Sequence, residues 1–500
     1  MLKINNLTII SSSGRKLIED FSFVLNEDDK IALIGEEGNG KSTLLKVLAG
    51  ESIEGYASYT GSIEREGKAG YLPQRIPEED LELSVEDYID REIDYNHLYL
   101  LLNRIGVDPD LISQRKLKTL SGGEKVRIAI LKILYEDPDM LLLDEPSNDL
   151  DLKTLIWLEE FIINTRLPLI FVSHDETLLG NCANGILHLE QLKRKSEPHI
   201  RFEQLGYREY QQSRQAYISR NNMIASKQKA QLKKQMDKWR QIYQKVEHQQ
   251  RTISRGDPHG AKMLKKKMHT VKAQGRNLEA KKENMRRKYE PEEAIAVSFD
   301  QVKINPNKVI LDLHLTELKA GDRLLARDID MKVLGRDKVC IIGDNGSGKT
   351  TLLRKIYGIL KEREDLKIGY VPQNYDEMMD MEVTPVFFLM DGGNKAEQDR
   401  VCTLLGSFKF TAEEMEHRIA DLSEGQKCKI YIASLILKNC NVLILDEVTR
   451  NLSPLSGPRI RQILCDYEGT IISVSHDRKY IEEVANSIYE LKDGTLVMLD

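Results

Sequence analysis

One block of sequence is written twice in this chain of 500 residues. Gly35-Glu-Glu-Gly-Asn-Gly-Lys41-Ser42 returns as Gly343-Asp-Asn-Gly-Ser-Gly-Lys349-Thr350. Tyr71-Leu-Pro-Gln74 returns as Tyr370-Val-Pro-Gln373, and Leu120-Ser-Gly-Gly-Glu124 as Leu422-Ser-Glu-Gly-Gln426. Leu142-Leu-Asp-Glu145 and Val172-Ser-His174-Asp175 return as Ile444-Leu-Asp-Glu447 and Val474-Ser-His476-Asp477, in the same order. An ordered repeat of this extent predicts two copies of one fold, each of about 200 residues.

In each copy the glycine-rich element follows an apolar run, Ile31–Ile34 or Val339–Ile342, and opens an apolar-periodic segment, Thr43–Leu48 or Thr351–Ile356. Strand, glycine loop and helix in that order are a phosphate-binding P-loop in an α/β fold. Successive backbone N–H groups curl around phosphate, and the helix start adds partial positive charge. The loop residues are Gly35, Gly38, Asn39, Gly40, Lys41, Ser42 and Thr43, with Gly343, Asn345, Gly346, Ser347, Gly348, Lys349, Thr350 and Thr351 in the second copy. Lys41 and Lys349 reach β- and γ-phosphates, while the Ser42 and Thr350 hydroxyls hold Mg²⁺, which predicts ATP and Mg²⁺ as cofactors.

Asp144 and Asp446 end apolar runs that read as buried parallel strands. Carboxylates there face the phosphates and anchor Mg²⁺ through water. Glu145 and Glu447 come next and can polarise an attacking water. His174 and His476 end a further strand, within reach of a γ-phosphate. Gln74 and Gln373 can touch both Mg²⁺ and that water, which completes the candidate catalytic set.

Between the copies the composition changes. Residues 201–290 carry 24 Lys and Arg against 8 Asp and Glu, while the rest of the chain carries 49 against 71. A basic insert thus joins two acidic halves and fits RNA phosphate, with salt-dependent affinity. Leu232, Met236, Trp239, Tyr243 and Val246 step by 4, 3, 4 and 3, and Leu264, Val271, Leu278 and Met285 by seven. These seams predict two antiparallel helices, with a turn at Arg255-Gly-Asp-Pro-His-Gly260. Arms of about 28 residues would form a rod roughly 40 Å long. A further helix is expected over residues 201–221. Arg251, Arg255, Lys262, Lys265, Lys266 and Lys267 crowd the tip as candidate RNA contacts. Trp239 and Tyr243 sit on the seam, which favours packing over base stacking. The domain division is therefore 1–192, 193–290 and 291–500.

The first residues lack a basic segment followed by an apolar one, and no apolar run approaches the ~18 residues of a membrane span. Six scattered cysteines without a CxxC read as reduced core thiols. The expected location is the cytoplasm.

The loops, the Leu-Ser-Gly-Gly element and the Asp-Glu and Ser-His pairs together resemble ABC ATPases over nearly all of both halves. In that family the Leu-Ser-Gly-Gly element of one cassette caps ATP held by the other. The resemblance implies that Ser121, Gly122 and Gly123 complete the site of Lys349, and that Ser423 and Gly425 complete the site of Lys41. It also implies a monomer whose cassettes dimerise within the chain.

Two cassettes joined by a basic helical hairpin look like the ABC-F group. That group implies a 70S ribosome partner, with the linker in the E-site, against 23S rRNA and the P-site tRNA. Leu445-Asp-Glu-Val-Thr-Arg-Asn-Leu-Ser-Pro-Leu-Ser456 and Leu422-Ser-Glu-Gly-Gln-Lys427 are similar to Lsa-type antibiotic-resistance members. They imply ribosome protection against lincosamides, streptogramin A and pleuromutilins. A housekeeping translation factor is the alternative, and a transporter ATPase leaves the basic hairpin without a role. Ser453, Val448 and Glu424 depart from the family pattern, so the two sites are expected to differ in turnover. No aromatic precedes the first P-loop where a base would stack; Ser11-Ser-Ser-Gly14 stands there, and nucleotide selectivity is expected to be loose.

Overall fold

The computed structural model describes residues 2–90, 92–112, 115–148, 150–192, 197–252, 258–283, 285, 289, 297, 299, 302–450 and 452–499. Two compact units make up the chain, Met1–Tyr207 with Glu292–Asp500 and, separately, Arg208–Pro291.

The larger unit holds both halves of the duplication. In the first half a six-stranded sheet runs in the order Ala69–Leu72, Met140–Leu143, Leu169–Val172, Lys30–Gly35, Gly185–Gln191 and Glu197–Glu203. Its first five strands are parallel and the last is antiparallel. The runs Met140–Leu143 and Leu169–Val172 are buried at every position, as strands covered on both faces must be. A three-stranded antiparallel sheet, Lys16–Leu25, Leu2–Ser11 and Ala57–Arg65, joins this core.

The second half repeats the order with Ile368–Val371, Val442–Asp446, Thr470–Val474, Lys338–Ile342, Ser487–Lys492 and Thr495–Leu499. A two-stranded antiparallel ribbon, Val309–Ala320 with Arg323–Leu334, accompanies it. The helix Lys41–Ala49 buries Leu44, Leu45, Val47 and Leu48 in one core with Ile31, Leu142 and Ile170. In Lys349–Lys361, Leu352, Leu353 and Ile356 do the same with Val339, Ile341 and Ile444. Both helices thereby start at the carboxyl edge of a parallel sheet, where α/β folds bind ligands.

The smaller unit contains the helices Tyr207–Thr252, which begins one residue before it, and Pro258–Glu283. They run antiparallel. Trp239 Nε1 donates to the Val271 carbonyl at 2.7 Å, and Asn222 Nδ2 to that of Tyr289 at 3.1 Å. Val246, Met268 and Val271 are buried, and the Trp239 ring lies over Gly275, where an added Cβ would come within 2.7 Å of it. Trp239 and Tyr243 are thus packing residues, with ring centroids 5.4 Å apart.

Three expectations are corrected. Residues 201–203 are not helical: Glu197–Glu203 is an edge strand paired antiparallel to Gly185–Gln191. The first half therefore extends past 192, and the helix starts at Tyr207. Among the described residues the two helices span 46 and 26 residues, and the first runs so far because no proline or glycine interrupts the chain from Tyr207 to Thr252. At ~1.5 Å per residue the first is about 70 Å long, not 40. Pro258, His259 and Gly260 belong to the first turn of the second helix rather than to a turn, proline being at home at a helix start. Arg255 and the boundary positions 193, 290 and 291 lie outside the described residues.

Among the described residues no helix is long and apolar enough to cross a membrane. All six cysteines are free thiols; Cys182, Cys340, Cys428 and Cys440 are buried, and Cys402 and Cys465 partly so.

Candidate active sites

Each P-loop leaves its strand through a glycine that nothing else could replace. A Cβ on Gly35 would stand 2.4 Å from the Leu189 carbonyl oxygen, and one on Gly343 equally close to that of Leu491. Gly40 and Gly348 then cap the following helices at φ 92° and 106°, in the left-handed region glycine tolerates. Lys41 Nζ donates back across the loop to the carbonyls of Gly35 and Glu36, at 2.9 and 3.2 Å. Lys349 does the same with Gly343 and Asp344, at 2.9 and 2.8 Å. Asn39 is fully buried and donates to the Leu189 carbonyl at 3.1 Å.

The two halves meet face to face around these loops. A cavity of about 670 Å³ is lined by Asn345, Gly346, Gly348, Lys349, Thr350, Thr351, Gln373, Glu447 and His476. Gly122, Lys125, Ser147, Asn148 and His174 line it from the opposite half. Ser121 caps the helix Gly122–Tyr135 in a reciprocal capping box with Glu124, so the start of that helix is aimed and rigid. Ser423 does so for Glu424–Leu437 with Gln426.

At the first loop the halves touch directly. The Gly425 N–H donates to both Glu37 oxygens, at 3.1 and 3.0 Å. Glu36 is buried across the interface, accepting from Lys429 at 3.2 Å, from Ser456 at 2.7 Å and from Ser453. Burial alone would raise the Glu36 carboxyl, but Lys429 and the two hydroxyls outweigh it and hold it at about 2. Arg461 bonds Glu176 at 2.9 Å across the interface, and Arg478 bonds Glu159 and Asp175. The motifs do not announce Glu36, Lys429, Ser456, Arg461 or Arg478; these become legible only when the halves face each other.

The acidic pairs sit where the strands end. Ser42 Oγ donates to Asp144 Oδ1 at 3.1 Å, and Thr350 Oγ1 to Asp446 Oδ1 at 3.4 Å. Asp446 Oδ2 is buried without a hydrogen-bond partner. A hydroxyl beside a buried carboxylate is an all-oxygen set that suits a hard divalent cation. Burial raises Asp144 to about 6 and also raises Asp446, a cost that a cation would remove. Among the described residues no three His, Cys, Asp or Glu cluster as a complete metal site. The remaining ligands must therefore come from phosphate oxygens and water.

Glu145 and Glu447 both hold left-handed backbone, φ 52° and 55°, a strained geometry that turns each carboxylate toward its loop. Gln74 Nε2 donates to Glu145 at 2.7 Å, and His174 Nε2 lies 3.1 Å from it. His174 Nδ1 meets the Leu452 carbonyl of the other half at 2.7 Å.

The sequence pattern of the family described as ABC transporter matches residues 18–148 and 326–450, together more than half of the chain. The chain belongs to that family. Two of its ATP-binding domains stand in tandem, and this ABC protein is an ATPase. It is 25% identical to ABC transporter F family member 2 of Arabidopsis thaliana, over 97% of this chain and 76% of the relative. It is 28% identical to the ATP-binding protein Uup of Buchnera aphidicola, over 98% and 80%. The putative ATP-binding protein YdiF of Bacillus subtilis is 26% identical over 99% and 80%. The fold is also that of an archaeal ribosome recycling factor solved with a ribosomal stalk protein. There the TM-score is 0.61 at 18% identity, over 99% of this chain and 89% of that one.

The two sites of this ABC protein are electrostatically different. Burial tends to raise the Glu145 carboxyl, but His174, Lys41 and Asn148 hold it at about 2, and the same contact raises His174. Glu447 Oε1 stands 3.6 Å from His476 Nε2, and its Oε2 accepts from the His476 backbone N–H at 3.4 Å. Burial and the neighbouring Asp446 raise it to about 7, and burial with Lys349 lowers His476 to about 4. A raised carboxyl loses its basic form as pH falls through its pKa. With Glu145→Gln, which leaves the Lys349 site, kcat/KM is expected to fall about tenfold per unit below pH ~7. With Glu447→Gln, which leaves the Lys41 site, it should stay flat to pH 5. Steady-state ATPase assays on the two variants from pH 5 to 8 check this.

Proposed function

We propose that this ABC ATPase works on the ribosome. ATP·Mg²⁺ closes the cassettes, the closed form binds, and hydrolysis releases it. Phosphates are held by the two P-loops and capped from the facing half by Ser121, Gly122 and Gly123, or by Ser423 and Gly425. Ser42 with Asp144, Thr350 with Asp446, and Gln74 and Gln373 would hold Mg²⁺, which would supply charge neutralisation at the transferring phosphoryl group. Glu145 and Glu447 orient and polarise water, and His174 and His476 contact the γ-phosphate.

The observation that carries the ribosome reading is the long basic arm attached to such an ATPase. Lys262, Lys265, Lys266 and Lys267 are exposed on it, and Arg251 is exposed beside Glu247 at 3.2 Å. A helical seam that buries its apolar residues and leaves lysines outward suits a phosphate backbone. The F-type relatives and the fold shared with a ribosome recycling factor support the same direction. The partner is a 70S ribosome, with the arm in the E-site against 23S rRNA and the P-site tRNA, in the cytoplasm.

The finer reading is protection of the peptidyl-transferase centre from lincosamides, streptogramin A and pleuromutilins, on the strength of the segments 422–427 and 445–456. Growth inhibition of a susceptible Gram-positive host tests it. Wild type should raise the inhibitory concentration of at least one of the three classes, and Glu145→Gln with Glu447→Gln should not. Well-expressed wild type with no effect on any drug would replace this reading with a housekeeping factor on stalled ribosomes.

A further inference from the structure

Two contacts between the halves are equivalent under the sequence repeat, yet their charges are exchanged. From Asp144 to His174 and from Asp446 to His476 the two copies align without a gap. On that alignment Glu159 corresponds to Arg461, and Glu176 to Arg478. Glu159 and Arg461 lie within the helices Leu152–Asn164 and Gly457–Cys465. Glu176 and Arg478 open the helices Glu176–Cys182 and Arg478–Glu483, each behind an aspartate cap.

In both contacts a residue inside the longer helix of one half meets the helix start of the other. Arg461 Nη1 donates to Glu176 Oε1 at 2.9 Å, and Arg478 Nη2 donates to Glu159. Arg478 Nη2 also reaches Asp175 Oδ2 at 3.2 Å, while Glu483 of its own half accepts from Arg461 Nε at 2.7 Å. Arg461 and Glu159 are 3% and 9% exposed, so salt screens these pairs little. At the four positions the first half carries only carboxylates and the second only guanidiniums. The P-loop clasp draws no such distinction. Asp344 stands where Glu36 does and takes Lys153 at 2.8 Å, so both loops present an acid to a base.

We propose that Glu159, Glu176, Arg461 and Arg478 form a pairing code by which each half accepts only the unlike half. Two first halves face to face would set Glu159 against Glu176 twice, and two second halves Arg461 against Arg478. Like charges at a desolvated contact repel strongly, which rejects the wrong partner. Duplicated halves share a surface, and a second copy of the chain offers that surface again on a like half. The code removes those pairings, and the covalent link then favours closure within one chain. This inference rests on the facing of the halves around the two P-loops, not on what the arm binds.

The experiment measures the ATPase activity of the full chain and, by light scattering in ATP·Mg²⁺, its mass. Glu159→Arg with Glu176→Arg makes both halves positive at these positions, and Arg461→Glu with Arg478→Glu makes both negative. Each one-sided variant should lose activity on the order of 100-fold, because like charges meet whenever the halves close. All four substitutions together restore the pairing in the exchanged sense and should return activity to within about threefold of wild type. An equimolar mixture of the two one-sided variants should also recover activity, as a complex of two chains, because every complementary pair then lies between chains. Neither variant alone should do so. A misfolded chain is not rescued by further charge reversal or by mixing, so rescue separates pairing from loss of structure. One-sided variants within about threefold of wild type overturn the proposal, as does a quadruple variant no more active than they are. A mixture that stays inactive at the mass of single chains overturns it as well.

Discussion

Glu145→Gln with Glu447→Gln lowers ATP turnover by at least ~100-fold while leaving ATP affinity within about threefold of wild type. The expectation follows from what each carboxylate touches. Glu145 lies among Gln74, Asn148 and His174, at the end of a rigid strand and on a strained backbone. Glutamine is isosteric, so the site keeps its shape and loses only the group that can accept a proton from water. The P-loop amides and Lys41 and Lys349 grip phosphate independently of it. The single variants are informative as well. Glu447 is raised to about 7 and Glu145 held at about 2, so at pH 6.5 the site of Lys41 should carry most of the turnover. Single-turnover phosphate release and equilibrium ATP binding measure the two halves of this statement.

Replacing Lys265, Lys266 and Lys267 with glutamate weakens binding to ribosomes by about 10²–10³-fold at low salt and flattens the salt dependence. Each lost phosphate contact removes on the order of 0.7–0.9 from the slope of log K against log salt, so three remove about 2 to 3. The arm should survive the change. All three side chains point to solvent, whereas its seam is made by Trp239, Val246, Met268 and Val271. Far-ultraviolet circular dichroism and ATPase activity serve as controls, and binding across a salt series is the readout. Equal slopes for variant and wild type would remove these lysines from the RNA contact.

The tandem α/β halves were legible because phosphate chemistry dictates its residues. Loop glycines, the lysine, and the acids at strand ends have to appear, in order, in any chain that folds this way. The seam of the arm was legible for a similar reason, since packed helices repeat every seven residues. Its length was not. The segment 207–231 carries few apolar residues, and nothing in it marks where a helix must begin. Glu197–Glu203 escaped because an edge strand, half-exposed and with charged residues at both ends, lacks a buried strand's apolar run. The Glu36 clasp was invisible for a different reason. Glu36, Lys429, Ser453 and Ser456 are separated by up to 420 positions and share chemistry only when the halves face one another. Their buried pair also explains why Ser453 stands where the family pattern has Asp. A second carboxylate beside Glu36 would be repelled, whereas a hydroxyl can donate to it.

The proposed function requires that the ATP-closed form of this ABC protein bind the ribosome. Co-sedimentation of the Glu145→Gln, Glu447→Gln variant with purified 70S ribosomes, with and without ATP·Mg²⁺, tests it most directly. Near-stoichiometric pelleting is expected with ATP, and little without it or with wild type once its ATP is consumed. A variant that binds ATP with normal affinity yet stays in the supernatant under every nucleotide condition would contradict it.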